Sequence, residues 1–181
     1  LLSLDLDAGS GNITLDATDT ILDGDANLDI QGTTATVTLS SGNFGAMGGG
    51  DNSIDTAVDN LNVDTSNAGG SQWIDETDGL LTLDLDAANG NITLDAGGTI
   101  LDGDANLDIQ ATTVTVTLSS GNFGAMGGGD NSIDTAVDNL NVDTSNAGGS
   151  QWIDEIDGLL TLDLDAGNGS ITLDAADTIL D

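Results

Sequence analysis

Apolar and polar residues alternate along short segments of this chain, and the alternation has the two-residue period of β-strands. In LTLDLDA, for example, Leu81, Leu83 and Leu85 are expected to share one face of a strand. Turn-forming stretches rich in Gly, Asn and Asp separate the segments, and no segment has a useful helical period. The pattern predicts an all-β fold whose clearest strands are LTLDLDA (81–87), NITLDA (91–96), NLDIQA (106–111), TVTVTL (113–118) and NLNVDT (139–144).

A long internal repeat organises these segments. Residues 4–82 recur as residues 83–161, a shift of 79 positions with only seven differences, and a partial third copy occupies residues 162–181. Arrays of this kind bury the apolar face of each copy against the next copy. We therefore expect residues 1–181 to form one continuous segment of a longer array.

Short strands joined by tight turns are compatible with a sandwich, a barrel or a solenoid, and the near-identical repeat favours stacking over closure. The sequence predicts a right-handed parallel β-helix, that is, a β-solenoid. Similar strand starts recur at intervals of about 25 residues, which indicates about three coils per 79-residue repeat. Four shorter coils per repeat remain an alternative.

The charge of the chain restricts its partners. It has 32 acidic residues and no Lys, Arg or His, and 14 of the acidic residues lie in residues 4–82. Three coils would advance about 14 Å, so the rod would carry on the order of one charge per Å, compared with one per about 1.7 Å in duplex DNA. Such a surface repels nucleic acid and anionic membranes and attracts cations, divalent ions above all. No apolar run approaches the roughly 18 residues of a membrane span.

Clusters of carboxylates supply the candidate metal ligands, because carboxylate oxygens suit hard cations such as Ca²⁺. The alternative interpretation is that these clusters are solvated faces of the rod. The candidates are Asp23 with Asp25, Asp102 with Asp104, Asp84 with Asp86, and the group Asp154, Glu155 and Asp157.

Pairs of Asp residues also occur in β-helical enzymes that hydrolyse polysaccharides, so catalysis is an alternative to a structural role. Acid–base catalysis needs neighbours that bind or polarise the substrate, and the chain has no His, Lys, Arg or Tyr. The same Asp pairs recur in each copy of the repeat, whereas an active site is normally singular. The sequence favours a protein that is not an enzyme.

Trp73 and Trp152 occupy the same position in successive copies. If Ile74 points into the core, strand alternation places Trp73 outside, where one Trp per repeat would form an axial row for lateral contact between copies of the chain. The opposite orientation, with Trp73 in the core, remains open.

The repeat unit carries a series of short motifs: LSSGNFG (39–45), NSIDTAVDNL (52–61), QWID (72–75), DGLLTL (78–83) and GNITLDAGGTI (90–100). Their order and spacing resemble the filamentous-haemagglutinin-like repeats of giant bacterial secreted and surface exoproteins. The resemblance covers the whole unit and implies right-handed β-helical rods exported to the cell surface as fibres or adhesins. The expected function is a structural segment of an extracellular fibre, sheath or surface protein. The alternative is the stalk of an adhesin whose binding domain lies outside these residues.

Overall fold

The computed structural model describes residues 4–47, 52–126, 131–146 and 148–180. These residues form twelve β-strands in a single sheet, and a 3-10 turn at Ser66–Ala68 is the only helical element among them. No helix in these ranges is long and apolar enough to cross a membrane. The strands are β1 (Leu6–Asp7), β2 (Asn12–Ala17), β3 (Ile30–Leu39), β4 (Ile54–Asp64), β5 (Gln72–Glu76), β6 (Thr82–Asp86), β7 (Asn91–Ala96), β8 (Ile109–Leu118), β9 (Ile133–Asp143), β10 (Gln151–Glu155), β11 (Thr161–Asp165) and β12 (Ile171–Ala175).

Every pairing between these strands is parallel and joins one coil of the chain to the next. Seven successive pairings lead from Leu15 to Ala175, which corresponds to roughly 23 residues per coil, a length typical of solenoid coils. This arrangement confirms the predicted parallel β-solenoid. The stacked residues of that column are Leu15, Val37, Val63, Leu85, Ile109, Thr135, Glu155 and Ala175.

Each coil has two strand-forming faces. The long strands β3, β4, β8 and β9 bend in the middle, so that each contributes its first half to one face and its second half to the other. Face 1 consists of residues 6–7, 30–32, 54–58, 72–76, 91–96, 113–118, 139–143 and 161–165. Face 2 consists of residues 12–17, 34–39, 60–64, 82–86, 109–111, 133–137, 151–155 and 171–175.

Successive copies of the repeat exchange the two faces. β2 lies on face 2, whereas the identical segment in the next copy, β7, lies on face 1. One copy contains seven strand segments, an odd number, and a coil uses two. Each 79-residue copy therefore makes about three and a half coils, between the predicted three and the alternative four, and the next copy starts about half a turn further round.

Inward-facing aliphatic side chains from both faces form one continuous core, and the alternation of the sequence explains which residues enter it. Ile92 and Leu94 of β7 are buried, while Thr93 and Asp95 between them face outwards. One sequence-based assignment is wrong: Leu81 is 54% exposed and Leu80 is buried instead. The strand begins only at Thr82, so the alternation does not extend back to Leu81.

Candidate cation site

Aspartate side chains stack on the outer surface of face 1. Asp55, Asp75 and Asp95 are direct neighbours on three successive coils, because each one follows a buried Ile or Leu in its strand. The column continues through Thr117 to Asp143 and Asp165. We call this column the aspartate ladder; its rungs are about 4.8 Å apart.

No basic side chain offsets this charge, because the chain contains none. Burial raises the pKa of Asp75, and the neighbouring carboxylate of Asp95 raises it further. A second column of the same kind lies on face 2 and contains Asp134, Asp154 and Asp174. The rod therefore presents repelling carboxylates on both faces, and cations between them would relieve the repulsion.

Three carboxylates meet where the 23–29 loop leaves and rejoins face 1. One oxygen each of Asp23, Asp29 and Asp55 lies within 4.8 Å of the other two, and no other three acidic side chains in the described ranges come this close. We call this the three-aspartate cluster. Asp23 begins the loop, Asp29 ends it, and Asp55 lies on the next coil beside it.

Backbone hydrogen bonds hold the cluster in place. The amide of Asp55 donates to Oδ2 of Asp29 over 2.9 Å, and the amide of Asp29 donates to the carbonyl of Asp55 over 2.9 Å. The amide of Asp25 donates to Oδ1 of Asp23 over 2.9 Å. The other oxygen of Asp23, Oδ2, is buried and has no hydrogen-bond partner. Asp23 and Asp29 are only 6% and 2% exposed.

Burial raises the pKa of Asp29 to about 6, the hydrogen bond from Asp55 opposes the rise, and the charges of Asp23, Asp55 and Asp25 add to it. The second copy repeats the hydrogen bonds: the amide of Asp134 donates to Asp108 Oδ2 over 2.7 Å. Burial raises the pKa of Asp108 to about 8 in the same way.

A cleft of about 750 Å³ runs along the aspartate ladder beside the cluster. Asp55, Asp75 and Asp95 line it, and Ala26 and Leu28 of the 23–29 loop form part of its wall. A hydrated cation can therefore enter from the side on which the carboxylates lie.

The structure brings together only some of the site residues chosen from the sequence. Asp23 belongs to the three-aspartate cluster, whereas Asp25, two residues later, is exposed at the loop tip and accepts a hydrogen bond from the amide of Asn27. In the second copy Asp102 is buried and Asp104 is exposed.

Asp84 and Asp86 both lie on the outer side of β6. Burial raises the pKa of Asp84, and the charge of Asp86 and then that of Asp104, from the loop of the next coil, add to the rise. The side-chain amide of Asn62 donates to Asp84 over 2.6 Å. This pair is therefore part of a larger acidic surface that also includes Asp104.

Strand alternation divides the last predicted group, which consists of Asp154, Glu155 and Asp157. Asp154 lies on the outer side of β10, while Glu155 is fully buried on the inner side. The Thr135 hydroxyl donates to Glu155 over 2.6 Å, and the amide of Asp157 donates to it over 3.1 Å. Burial raises the pKa of Glu155 to about 7.

Glu76, the counterpart of Glu155 in the first copy, was not among the residues chosen from the sequence. It is fully buried and accepts a hydrogen bond of 2.6 Å from the Thr56 hydroxyl. Burial raises its pKa to about 8. The alternation in QWIDE could have predicted that Glu76 is buried, because Gln72, Ile74 and Glu76 must share the inner side of the strand.

Trp73 faces outwards and is half-buried, while Ile74 is in the core, which settles the orientation that the sequence left open. Trp73 stacks on Thr93 of face 1, and Trp152 stacks on Thr172 of face 2. The expected axial row of Trp residues was therefore wrong, because the half-turn between copies places the two side chains on different faces.

Comparison of the chain with protein-family models, with curated proteins and with solved structures finds no match.

Proposed function

We propose that this chain is a structural repeat segment of an extracellular fibre, sheath or giant surface protein, and that it acts as a stiff acidic rod. The observation that supports this role most strongly is the unbroken parallel pairing across the copy boundary, where β4 pairs with β6 and β5 pairs with β7. Main-chain hydrogen bonds then run along the axis, which is the direction in which a rod must resist tension.

Cations screen or crosslink these rods in the proposed function. One copy advances about 17 Å, from about three and a half coils at about 4.8 Å each. The first copy carries 14 acidic residues and the second carries 13. This density exceeds that of duplex DNA, which already condenses counterions. The partners that we propose are divalent cations and other copies of the chain.

Export to the cell surface and a role outside catalysis complete the proposal. Its support is the resemblance of the repeat motifs to secreted exoproteins and the lack of His, Lys, Arg, Cys and Tyr in the sequence. Outward-facing carboxylates with no basic neighbour attract cations and repel an anionic substrate.

Chains with two, four and eight copies of the 79-residue repeat test the rod directly. Small-angle X-ray scattering should show the maximum dimension growing by about 17 Å per copy with a constant cross-section. Growth by separate globules, with a flexible profile, would refute the coaxial rod.

Association is measured on the same chains by sedimentation in CaCl₂ and in KCl of equal ionic strength. The proposal predicts lateral association in CaCl₂ alone. Chains that stay monomeric in both salts would leave the rod without its crosslinking role and support a solitary stalk.

A further inference from the structure

We infer that Asp23, Asp29 and Asp55 bind one divalent cation of the calcium class within a single solenoid. Such an ion joins the two ends of the 23–29 loop to the neighbouring coil, whereas the cations of the proposed function lie between rods. The inference therefore does not depend on whether the rods assemble.

The spacing of the three oxygens fits one ion. Calcium takes oxygen ligands at 2.3–2.6 Å, so two ligands on opposite sides of the ion lie about 4.8 Å apart. The oxygens of Asp23, Asp29 and Asp55 all lie within 4.8 Å of one another. One ion can therefore contact all three without a rearrangement of the main chain.

A second observation is independent of the acidic character of the cluster. Oδ2 of Asp23 is buried and has no hydrogen-bond partner, although Oδ1 of the same carboxylate accepts from the amide of Asp25. A buried carboxylate oxygen without a partner is costly, and folded proteins rarely leave one. A cation that Asp29 and Asp55 also contact would satisfy it.

The chemistry of the ligands selects the class of ion. All three are carboxylates, and the chain contains neither His nor Cys, so the site lacks the nitrogen and sulfur ligands that zinc and copper prefer. Three carboxylates supply fewer than the six to eight oxygens that calcium takes. Water can fill the remaining positions, because residues 24–27 at the loop tip are exposed.

The consequence of binding is local. Asp23 and Asp29 are the first and last residues of a loop that leaves face 1, and Asp55 belongs to β4 on the next coil. An ion shared by the three fixes the loop against the sheet and neutralises carboxylates that otherwise repel one another.

Isothermal titration of the 181-residue chain with CaCl₂ in 0.1 M KCl tests the site, since the salt suppresses diffuse ion condensation. Asp23→Asn should lower the number of saturable sites by one, or weaken one site at least tenfold. Asp25→Asn is the matched control, because it removes the same charge two residues away at the exposed loop tip, and its titration should equal that of the unmodified chain.

Absence of saturable calcium binding in the unmodified chain would overturn the inference, and so would equal losses in the two variants. Circular dichroism establishes that both variants remain folded. If Asp23→Asn fails to fold, Asp55→Asn replaces it, with Asp59→Asn as the control of equal charge on the same strand. Lateral association is followed separately, because the aspartate ladder remains in every variant except Asp55→Asn.

Discussion

Trp73 and Trp152 hold the same position in two nearly identical copies, yet they lie on different faces of the solenoid, because one copy makes about three and a half coils. Each side chain faces outwards and is half-buried. A single rod therefore has an apolar contact point on each face, and it can contact neighbours in two directions.

This arrangement gives a stepwise prediction for lateral association. In CaCl₂ the unmodified chain should form assemblies larger than dimers, Trp73→Ala or Trp152→Ala alone should stop at dimers, and the double variant should stay monomeric. Analytical ultracentrifugation distinguishes the three outcomes. Large assemblies of the double variant would show that the Trp residues are not the lateral contacts.

We expect a cation site in the second copy too, although its three carboxylates do not all lie within 4.8 Å of one another and an ion there would have to draw them together. Asp102, Asp108 and Asp134 repeat the three-aspartate cluster in sequence, and the amide of Asp134 bonds to Asp108 as that of Asp55 bonds to Asp29. We expect Asp102→Asn to remove one saturable calcium site and Asp104→Asn to remove none. An unchanged titration of Asp102→Asn would confine the site to the first copy.

Glu76 should make stability depend on pH. Its pKa is raised from 4.5 to about 8, so the folded chain holds the proton that the unfolded chain loses, and the stability falls as pH rises between these values. Glu76→Gln removes this loss. The free energy of unfolding of the variant, measured in urea, should increase relative to that of the unmodified chain by on the order of 3 kcal/mol from pH 5 to pH 8.

Asp59→Asn is the control for the change in net charge, because Asp59 is exposed on the neighbouring strand β4. The difference in free energy of unfolding between Asp59→Asn and the unmodified chain should vary little with pH. A Glu76→Gln curve that parallels the control would show that the buried carboxyl does not govern the pH dependence.

Gln72 satisfies three backbone and side-chain acceptors inside the solenoid. Its amide nitrogen donates to the carbonyls of Val63 and Asp86 over 2.9 and 3.1 Å, and to the Thr65 hydroxyl over 3.2 Å. Gln72→Leu keeps the volume but removes these three donations from the core, at a cost of about 1–2 kcal/mol, because the Asp86 carbonyl still accepts from the Thr65 amide over 2.8 Å. Urea unfolding measures the loss, and exposed Gln31→Leu should cost less than about 0.5 kcal/mol.

Gly149 lies where one coil passes directly over another. A methyl group on it would overlap the carbonyl oxygen of Gly121, so Gly149→Ala must displace the main chain and should cost about 3 kcal/mol. Gly9→Ala is the control, because nothing lies within 4 Å of its added carbon and only its φ of +57° opposes alanine.

The second copy shows that alanine tolerates that conformation. Ala88, the counterpart of Gly9, has a φ of +47°. Gly9→Ala should therefore cost only about 1 kcal/mol in a urea titration. Equal losses for the two glycine variants would mean that φ, and not the close approach of the coils, limits position 149.

Much of the fold follows from the sequence because its strands alternate cleanly. The predicted strand NITLDA coincides with β7, and TVTVTL forms the second half of β8. The face exchange was not predictable in this way. Coils differ in length. Thr56 pairs with Ile30 on the preceding coil and with Glu76 on the following coil, and Glu76 is nearer to Thr56 in the sequence than Ile30 is. The repeat length alone therefore does not fix how many coils one copy makes.

The cation site was only partly predictable for a related reason. The sequence suggests pairs of carboxylates that are close in the chain, such as Asp23 with Asp25, whereas the cluster joins residues from neighbouring coils. Asp55 lies one full coil after Asp29, a separation that the pairing of β3 with β4 sets. Only knowledge of that register would have placed the two together.

The exchange of faces at every copy has a mechanical consequence for a long array. Any feature that lies on one side, such as the 23–29 loop, recurs on the other side one copy later, so a bend that one copy favours is opposed by the next. Curvature cancels over two copies. A long array of these copies would therefore be straight, and both of its sides would offer a neighbour the same chemistry.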